Sequence, residues 1–338
     1  MKHETLSYYL QKFFLEYLPG ERGVSTNTIS SYSDCFSLLL AFFGQKLSIK
    51  PEMLATDHLT KDNVVQFLNW LENERHCMVS TRNVRLGALH SFFRFMQYKD
   101  VSHLDQWNQA LSIPVKRCES PNISYMSVAG IKALLGQPNQ RTLQGLRDLA
   151  MLTCMYETGA RVQEVCDLTR SRLHLEYPMT VRVYGKGRKE RIVPISKEAG
   201  GILLSYVARA KLDDLARWEQ PLFPNRHGHR MTRSGVSYIL EKHLRKVREL
   251  DPGLVPKTFT CHCIRHSRAM HLLQEGVNLV YIRDILGHVH VETTEMYAKA
   301  DSSLKRAAME ASYPDILPKV EAEWLKDSKL LDWLKTLS

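Results

Sequence analysis

A polar stretch at residues 113–124 constrains the fold most, because it interrupts a helical pattern that runs on both sides of it. The stretch contains Pro114 and Pro121 among polar and basic residues, and proline disrupts helices by fixing φ and removing a backbone donor. A chain of this length corresponds to about two domains. The predicted organisation is a helical domain over 1–112, a linker over 113–124, a second domain over 125–312 and a tail helix within 313–338.

The first 112 residues carry apolar side chains at helical spacing, which is most simply core packing. The predicted helices are one that follows an N-cap within residues 25–28, one over about 62–74 and one that starts at the cap Ser80. On the third helix we place Val84 on the apolar stripe and Arg82, Arg85 and Arg94 off it. These arginines are therefore expected either on a solvated face or in contact with phosphate.

One β signal interrupts the helices of the second domain. Residues 180–184 alternate in polarity, a glycine-rich turn follows at 185–188, and residues 191–195 return as a second strand. Helical patterns precede this hairpin and resume from about Gly235 onward. We therefore expect a mainly α protein with a small antiparallel β-hairpin or sheet, an α+β fold.

The positive charge lies mainly in the middle of the chain. Residues 121–300 hold 27 Lys and Arg against 17 Asp and Glu, which accounts for the whole net charge of +10. Such a region suits a polyphosphate partner, since each neutralised phosphate releases counterions, although a generically basic protein has the same charge. No apolar run is long enough to cross a bilayer, and the N-terminus lacks a signal-peptide core. We expect a cytoplasmic protein with no membrane partner.

The seven cysteines are odd in number and scattered, with no CxxC pair, which indicates reduced thiols. Cys261, His262 and Cys263 with His266 nearby suggest a zinc site. However, structural zinc prefers a wider cysteine spacing and needs a second ligand pair. We therefore expect neither a metal nor a cofactor.

Several residues of the second domain suit metal-free phosphodiester chemistry. Such chemistry needs an in-line nucleophile, cations on the non-bridging oxygens and an acid for the leaving oxygen. Arginine matches phosphate geometry and never loses its charge near neutral pH. His262 and Arg265 lie on one side of a predicted helix, and Tyr297 lies on a later helix that we expect Thr293 and Thr294 to cap. Taken singly, each has a structural interpretation: a capping histidine, a surface arginine, a core tyrosine.

Four segments together resemble the tyrosine recombinases, the class of phage and transposon integrases and of the Xer chromosome-dimer resolvases. The segments are ETGARVQEVCDL at 157–168, VYGKGRKERIVPI at 183–195, HCIRHSRAMHLLQEG at 262–276 and ILGHVHVETTEMYA at 285–298. They occur in the order and spacing of the family, and the step from His288 to Tyr297 is typical of it. Ala160 replaces a commoner leucine, a departure that touches no catalytic role.

The resemblance implies a role for each residue of a recombinase site. Arg161 and Arg265 would clamp the scissile phosphate, and His288 would donate a hydrogen bond to one of its oxygens. His262 would accept or share the proton of the tyrosine. Tyr297 would attack the phosphorus, leaving a 3′-phosphotyrosine and a free 5′-hydroxyl. A phenol has an ordinary pKa of about 10, so it needs neighbouring cations to ionise near neutral pH.

Further residues are implied to support this chemistry. Lys186 in the hairpin turn would protonate the leaving 5′-oxygen, with Lys189 as a competing candidate. Glu164 lies where the family has an acidic residue that supports the site. The candidate DNA contacts outside the catalytic set are Arg82, Arg85, Arg94, Lys116, Arg117, Arg188 and Lys189.

The N-terminal helices are similar to the core-binding domain of the family, notably in VSTNTISSYSDCF and STRNVRLGALHSFFRF. This similarity implies a C-shaped clamp on double-stranded DNA that carries specific recombination sites. It also implies a homo-tetramer, alone or with related recombinases, that acts through a Holliday junction.

The tail is the larger departure from the compact Xer type. An apolar stripe runs along it through Leu330, Trp333, Leu334 and Leu337. Such a helix either packs on its own catalytic domain or docks on a neighbouring protomer, and we favour docking.

Several functions fit these features. We expect a recombinase that integrates or transposes a mobile element, with Xer-like resolution of chromosome or plasmid dimers as the alternative. A type IB topoisomerase shares the tyrosine chemistry but not the paired core-binding domain. A DNA-binding accessory protein with an inert site is the alternative of another class, and the complete catalytic set disfavours it.

Overall fold

The protein is described by a computed structural model covering residues 5–118, 123–185, 189–288, 291–300 and 328–336. The chain divides into two compact units, Met1–Pro121 and Asn122–Ser338. Both are helical, and the second carries a small antiparallel sheet, so the expected fold class is confirmed. In the described ranges, no helix combines the length and apolar character that crossing a membrane requires.

The first unit is a helical bundle around an aromatic core. Its helices are α1 (Leu6–Lys12), continued by a π-helical segment (Phe13–Glu21), α2 (Thr26–Lys46), α3 (Lys61–Asn73), α4 (Val79–Lys99) and α5 (Leu104–Leu111). Ser25 caps α2 by accepting from the Thr28 amide. The predicted cap of α4 is wrong: that helix begins at Val79, and Met78 stands before it.

Helix α4 turns a different face to the core than the sequence predicted. Arg82 is 4% exposed and Val84 is 59% exposed. Arg82 is buried instead of Val84 because it lies one turn before the buried Leu86 and two turns before the buried Leu89, on the same face of α4. The Arg82 guanidinium donates to Asn83 Oδ1 and to the Pro114 carbonyl. The predicted solvated position of Arg82 is therefore wrong, because the side chain is buried and its guanidinium is bonded within the protein.

The second unit consists of helices that precede and follow one small sheet. Its elements are α6 (Val128–Leu135), α7 (Leu143–Thr158), α8 (Val162–Cys166), β1 (Leu173–His174), β2 (Thr180–Tyr184), β3 (Glu190–Pro194), α9 (Lys197–Arg209), α10 (Arg233–Leu250), α11 (Cys261–Gln274), α12 (Leu279–Leu286), α13 (Glu292–Ala300) and α14 (Ser328–Lys335). Single 3₁₀ turns lie at Pro51–Met53, Thr56–His58, Val101–His103, Arg170–Arg172, Leu215–Arg217 and Pro252–Leu254.

The sheet has the order β1-β2-β3, with both pairings antiparallel. Val181 pairs with Val193, and both are buried against the helices, as alternation in strands requires. The Gly185 amide donates to the Lys189 carbonyl at 2.8 Å and closes the connection between β2 and β3. The turn residues 186–188, including the predicted Lys186 and Arg188, lie outside the described residues.

The helices that carry the site lie at the end of the second unit. Helix α12 ends at Leu286 and is followed by Gly287, whose φ of +65° suits a left-handed C-cap. Helix α13 begins at Glu292, so the predicted cap at Thr293 and Thr294 is wrong; the Thr294 side chain is instead fully buried inside the helix.

The predicted tail helix is present as α14. Trp333 is 56% exposed and Leu334 is 51% exposed, so half of each large apolar side chain meets solvent. Leu337, the last residue of the predicted stripe, lies outside the described residues.

Candidate active site

The Arg265 side chain lies at the centre of the candidate site. It projects from the first turns of α11, is 1% exposed, and donates from Nη1 to the Gly159 carbonyl at 2.7 Å. Its buried Nε and Nη2 atoms have no hydrogen-bond partner among the described residues. Burial lowers the pKa of Arg265 to about 10, with the charges of Arg161 and Arg191 adding to the effect, so it stays charged at neutral pH. Unsatisfied buried donors cost about 1–3 kcal/mol each, and an anion would relieve that cost.

Gly159 makes this arrangement possible. It ends α7 with a φ of +55°, which favours glycine. A Cβ atom here would lie 2.6 Å from Leu286 Cδ2. Glycine therefore allows α12 to approach the end of α7, and the Gly159 carbonyl accepts the hydrogen bond from Arg265.

Glu164 links two arginines at the edge of the site. Its carboxylate accepts from the Arg161 amide at 2.8 Å and from Arg161 Nη1 at 2.9 Å, which caps α8. It also accepts from Arg191 Nη2 at 2.7 Å. Burial alone would raise the pKa of Glu164, but the hydrogen bonds and charges of Arg191 and Arg161 outweigh it and leave the pKa lowered. The carboxylate thus fixes Arg161 while leaving that side chain 40% exposed to a ligand.

Tyr297 lies buried beside these cations. It is 1% exposed, and its hydroxyl is 3.0 Å from His266 Nδ1. The His262 ring packs edge-on against the His266 ring, with centroids 4.4 Å apart. The His288 ring stacks on the Tyr297 ring at 6.4 Å, and His288 Nδ1 pairs with the Thr294 hydroxyl at 2.9 Å. His266 and His288 therefore contact Tyr297 directly, and His262 contacts the His266 ring.

The protonation states follow from burial and from the arginines. Burial raises the pKa of Tyr297, and Arg265 and Arg161 oppose that change without reversing it. Burial, His262 and Arg265 lower the pKa of His266 to about 4. Burial and the same arginines also lower the pKa of His288 to about 4. The free protein at neutral pH thus holds a neutral phenol among neutral imidazoles and charged guanidiniums.

A cleft of about 480 Å³ opens beside this cluster. Arg161, Arg191 and His288 line it, together with Gly185 and Lys189 at the two ends of the hairpin turn. Lys189 is exposed. Both ends of the turn therefore border the same cleft as the arginines.

The structure brings together residues that the sequence predicted and two that it missed. One cluster contains the predicted residues Arg161, Glu164, Arg265, His288 and Tyr297. His262 lies exposed at the edge of this cluster.

His266 and Arg191 were not predicted as site residues. His266 stood in the sequence as one helical turn after His262, a spacing that places two side chains on one face. Arg191 lies two residues before the buried Val193 and therefore on the same face of β3, but this position does not reveal which group the side chain contacts.

The candidate DNA contacts of the first unit differ in exposure. Arg94 and Arg117 are exposed, and Lys116 is exposed but pairs with Glu72. Arg85 is half-buried, with its Nε atom unpartnered among the described residues. Arg94 and Arg117 are thus the most accessible of these candidates.

The cysteine–histidine segment of α11 does not form a metal site in the residues described. No group of three histidine, cysteine or acidic side chains there could hold a metal ion. Cys261 and Cys263 are buried, while His266 turns towards Tyr297.

Comparison with known proteins matches both units. Residues 125–303 match the phage integrase family, and residues 12–99 match its N-terminal SAM-like domain. The chain is 36% identical to "Putative integrase/recombinase y4rC" of Sinorhizobium fredii over 99% of both chains. It is 31% identical to tyrosine recombinase XerD of Halalkalibacterium halodurans over 90% of this chain and 96% of that protein.

A solved structure shares the fold. The Tn1549 transposon integrase in complex with transposon right end DNA superposes with a TM-score of 0.69 at 17% identity, covering 89% of this chain and 98% of the other.

Proposed function

This chain belongs to the phage integrase family of tyrosine recombinases, site-specific enzymes that cleave and rejoin DNA, and we propose that it does so through a 3′-phosphotyrosine at Tyr297. One observation carries the proposal. Arg161, Arg265 and His288 lie in one cluster with Tyr297 although they come from three of the four family segments, and the Arg265 guanidinium has two buried donors without a partner among the described residues.

The arginines form the phosphate clamp in this proposal. Arg265 offers Nε and Nη2, and the partly exposed Arg161, held by Glu164, is proposed to bind the same anion. Two guanidiniums match the two non-bridging oxygens and stabilise the charge that develops as the phosphorus becomes five-coordinate. Arg191 holds Glu164 in place.

The remaining groups handle protons. Lys186 is proposed to protonate the leaving 5′-oxygen, and Lys189, at the other end of the turn, stays the competing candidate. His288 is proposed to bind a phosphate oxygen. His262, exposed at the start of α11, is proposed to share the proton released at Tyr297 through the adjacent His266 ring. No step in this scheme uses a metal or a nucleotide, so cleavage should continue in excess EDTA.

The test uses a suicide substrate nicked near the crossover. The wild-type protein should form an SDS-stable adduct with this DNA, and Tyr297→Phe should bind the same DNA without forming it, because the phenol oxygen alone is lost. An adduct with Tyr297→Phe would move the nucleophile elsewhere. Relaxation of plasmids without joining of two sites would support a topoisomerase, and binding without any adduct would support an accessory protein.

We propose mobile-element integration or transposition as the biological role. The support is the full-length likeness to a protein named as an integrase/recombinase and the tail beyond Tyr297. Dimer resolution is the second candidate, favoured by the likeness to XerD. Joining of the native flanking DNA separates them: an integrase excises or inserts an element, whereas a resolvase converts dimers to monomers.

The proposed assembly is a tetramer of clamps on two DNA sites, with α14 docked on a neighbour. The half-exposed Trp333 and Leu334 support the docking. Deletion of 328–337 should spare binding by a single subunit and weaken the higher complexes on a native gel. An unchanged ladder of complexes with a lower melting temperature would show that the helix packs on its own unit.

A further inference from the structure

The Tyr297 hydroxyl has one hydrogen bond within the described part of the chain, and its partner was not among the expected catalytic residues. His266 Nδ1 lies 3.0 Å from Tyr297 Oη, within reach for direct proton transfer. His262, the residue expected to take this proton, is exposed and contacts the His266 ring rather than the phenol. His266 therefore contacts the phenol directly, whereas His262 is connected to it only through the His266 ring.

The groups around the His266 ring determine its protonation state. Its neighbours are His262 and Arg265 on α11, Tyr297 on α13 and His288 before α13. Since this environment lowers the pKa of His266 to about 4, the ring is neutral at neutral pH. The raised pKa of Tyr297 keeps the phenol protonated, so the phenol donates and Nδ1 accepts. The remaining ring proton then sits on Nε2.

From this arrangement, and resting on the function proposed above, we propose that His266 is the first acceptor of the Tyr297 proton during DNA cleavage. The Tyr297 Oη–phosphorus bond forms as the phenol proton moves to His266 Nδ1. The bond from phosphorus to the 5′-oxygen breaks, and that oxygen takes a proton from Lys186. In rejoining, the 5′-hydroxyl gives its proton back to Lys186 as its oxygen bonds to phosphorus, the Tyr297 Oη–phosphorus bond breaks, and His266 returns its proton to the departing phenol.

Binding of DNA prepares His266 for this role. Arg265, which helps to lower the pKa of His266, is also the proposed phosphate ligand. A phosphate anion on Arg265 offsets the positive charge that His266 meets and raises the pKa of the imidazole. The base therefore strengthens when the substrate is in place and stays inactive in the free protein.

The experiment compares His266→Asn and His266→Ala with the wild type in single-turnover adduct formation on the nicked substrate. Asparagine keeps a hydrogen-bond acceptor near the Nδ1 position but cannot take a proton. Both variants should bind DNA normally and cleave more slowly by about 10²–10⁴-fold, the usual contribution of a general base. Their rates should rise with pH more steeply than the wild-type rate, because solvent must then remove the proton. Wild-type cleavage by His266→Asn, or a pH profile parallel to the wild type, would overturn the proposal.

A second substrate distinguishes removal of the Tyr297 proton from protonation of the leaving 5′-oxygen. When sulfur replaces the bridging 5′-oxygen, the leaving group needs no proton, so Lys186→Ala should regain its rate. His266→Asn should keep its defect on this substrate, since its proton comes from the nucleophile. Recovery of His266→Asn on the sulfur substrate would assign His266 to the leaving group instead. If the wild-type protein forms no adduct at all, the proposed function itself fails, which is a distinct result.

Discussion

The two units of this protein fill their interiors differently. The first unit packs aromatic rings against one another: Phe92 lies with its ring centroid 5.2 Å from both Phe13 and Phe36. Among the described residues, three buried side chains of this unit are polar or charged, against eleven in the second unit. The second unit buries groups such as Asp148, Glu164 and Arg265, which need specific partners.

This difference indicates that the first unit is packed mainly for stability, whereas the second unit positions charged groups. Aromatic packing gains free energy from buried area and tolerates many arrangements. A buried charge is stable only when partners offset the cost of its burial, so the buried Glu164 of the second unit holds Arg161 and Arg191 in defined positions at the edge of the site. The donors of Arg265 that lack a partner among the described residues are then a cost in the free protein, one that the proposed phosphate ligand would remove.

Removal of an aromatic ring from the first unit should give the largest effect on stability. Phe92→Ala should lower the free energy of unfolding by about 3–5 kcal/mol, because it deletes a fully buried ring from a packed cluster. Thermal unfolding of the full chain measures this, with Tyr98→Ala as the control, since Tyr98 is 81% exposed. Equal melting temperatures for the two variants would contradict the role assigned to the aromatic core.

Replacement of a buried cation in the second unit should act on chemistry instead. Arg265→Lys should slow adduct formation by about 10²–10³-fold or more, because lysine supplies charge without the guanidinium fork. The control is Arg245→Lys, on an exposed arginine of α10. Near wild-type cleavage by Arg265→Lys would remove Arg265 from the clamp.

Acid should destabilise the second unit through its buried histidines. His266 and His288 have a pKa of about 4 in the folded protein, against an ordinary value of 6.5. Between these values the unfolded chain binds more protons, so stability falls as the pH drops from 6.5 towards 4. The His266→Asn/His288→Asn double variant should show a flatter melting temperature across this range, while His227→Asn, an exposed control, should follow the wild type. Parallel curves for all three would show that these imidazoles are not protonated in that window.

The smallest effect should come from the arginines of α4. Arg94→Ala should weaken DNA binding and reduce the slope of log affinity against log salt by about 0.9, the value of one lost phosphate contact. Arg82→Ala should leave that slope unchanged and lower the melting temperature, because Arg82 holds the Pro114 carbonyl. A change of slope with Arg82→Ala would reverse this assignment.

The sequence predicted the elements of the fold well, because local patterns carry that information. Apolar spacing predicted helices around Tyr297, and strand alternation predicted β2 and β3. The predicted positions of the helix caps were less accurate. Thr294 has the side chain of a cap residue, yet it is buried inside α13 against His288, since tertiary partners can outweigh a local preference.

Motif spacing likewise predicted that Arg161, Arg265 and Tyr297 share one site, since the family preserves the order of its segments. Three features depended on the tertiary structure. Arg191 reaches Glu164 across 27 positions of sequence, and no periodicity encodes such a contact.

The contact between His266 and Tyr297 spans 31 positions, and it depends on the packing of α11 against α13. The buried Asp148 accepts from Arg147 and from His243 of α10, at 2.7 Å and 3.1 Å. The sequence by itself determined which chemical groups this protein carries and which local elements hold them. The tertiary structure decided which group meets which, because partners far apart in the chain are selected by packing and by the cost of burying an unpaired charge.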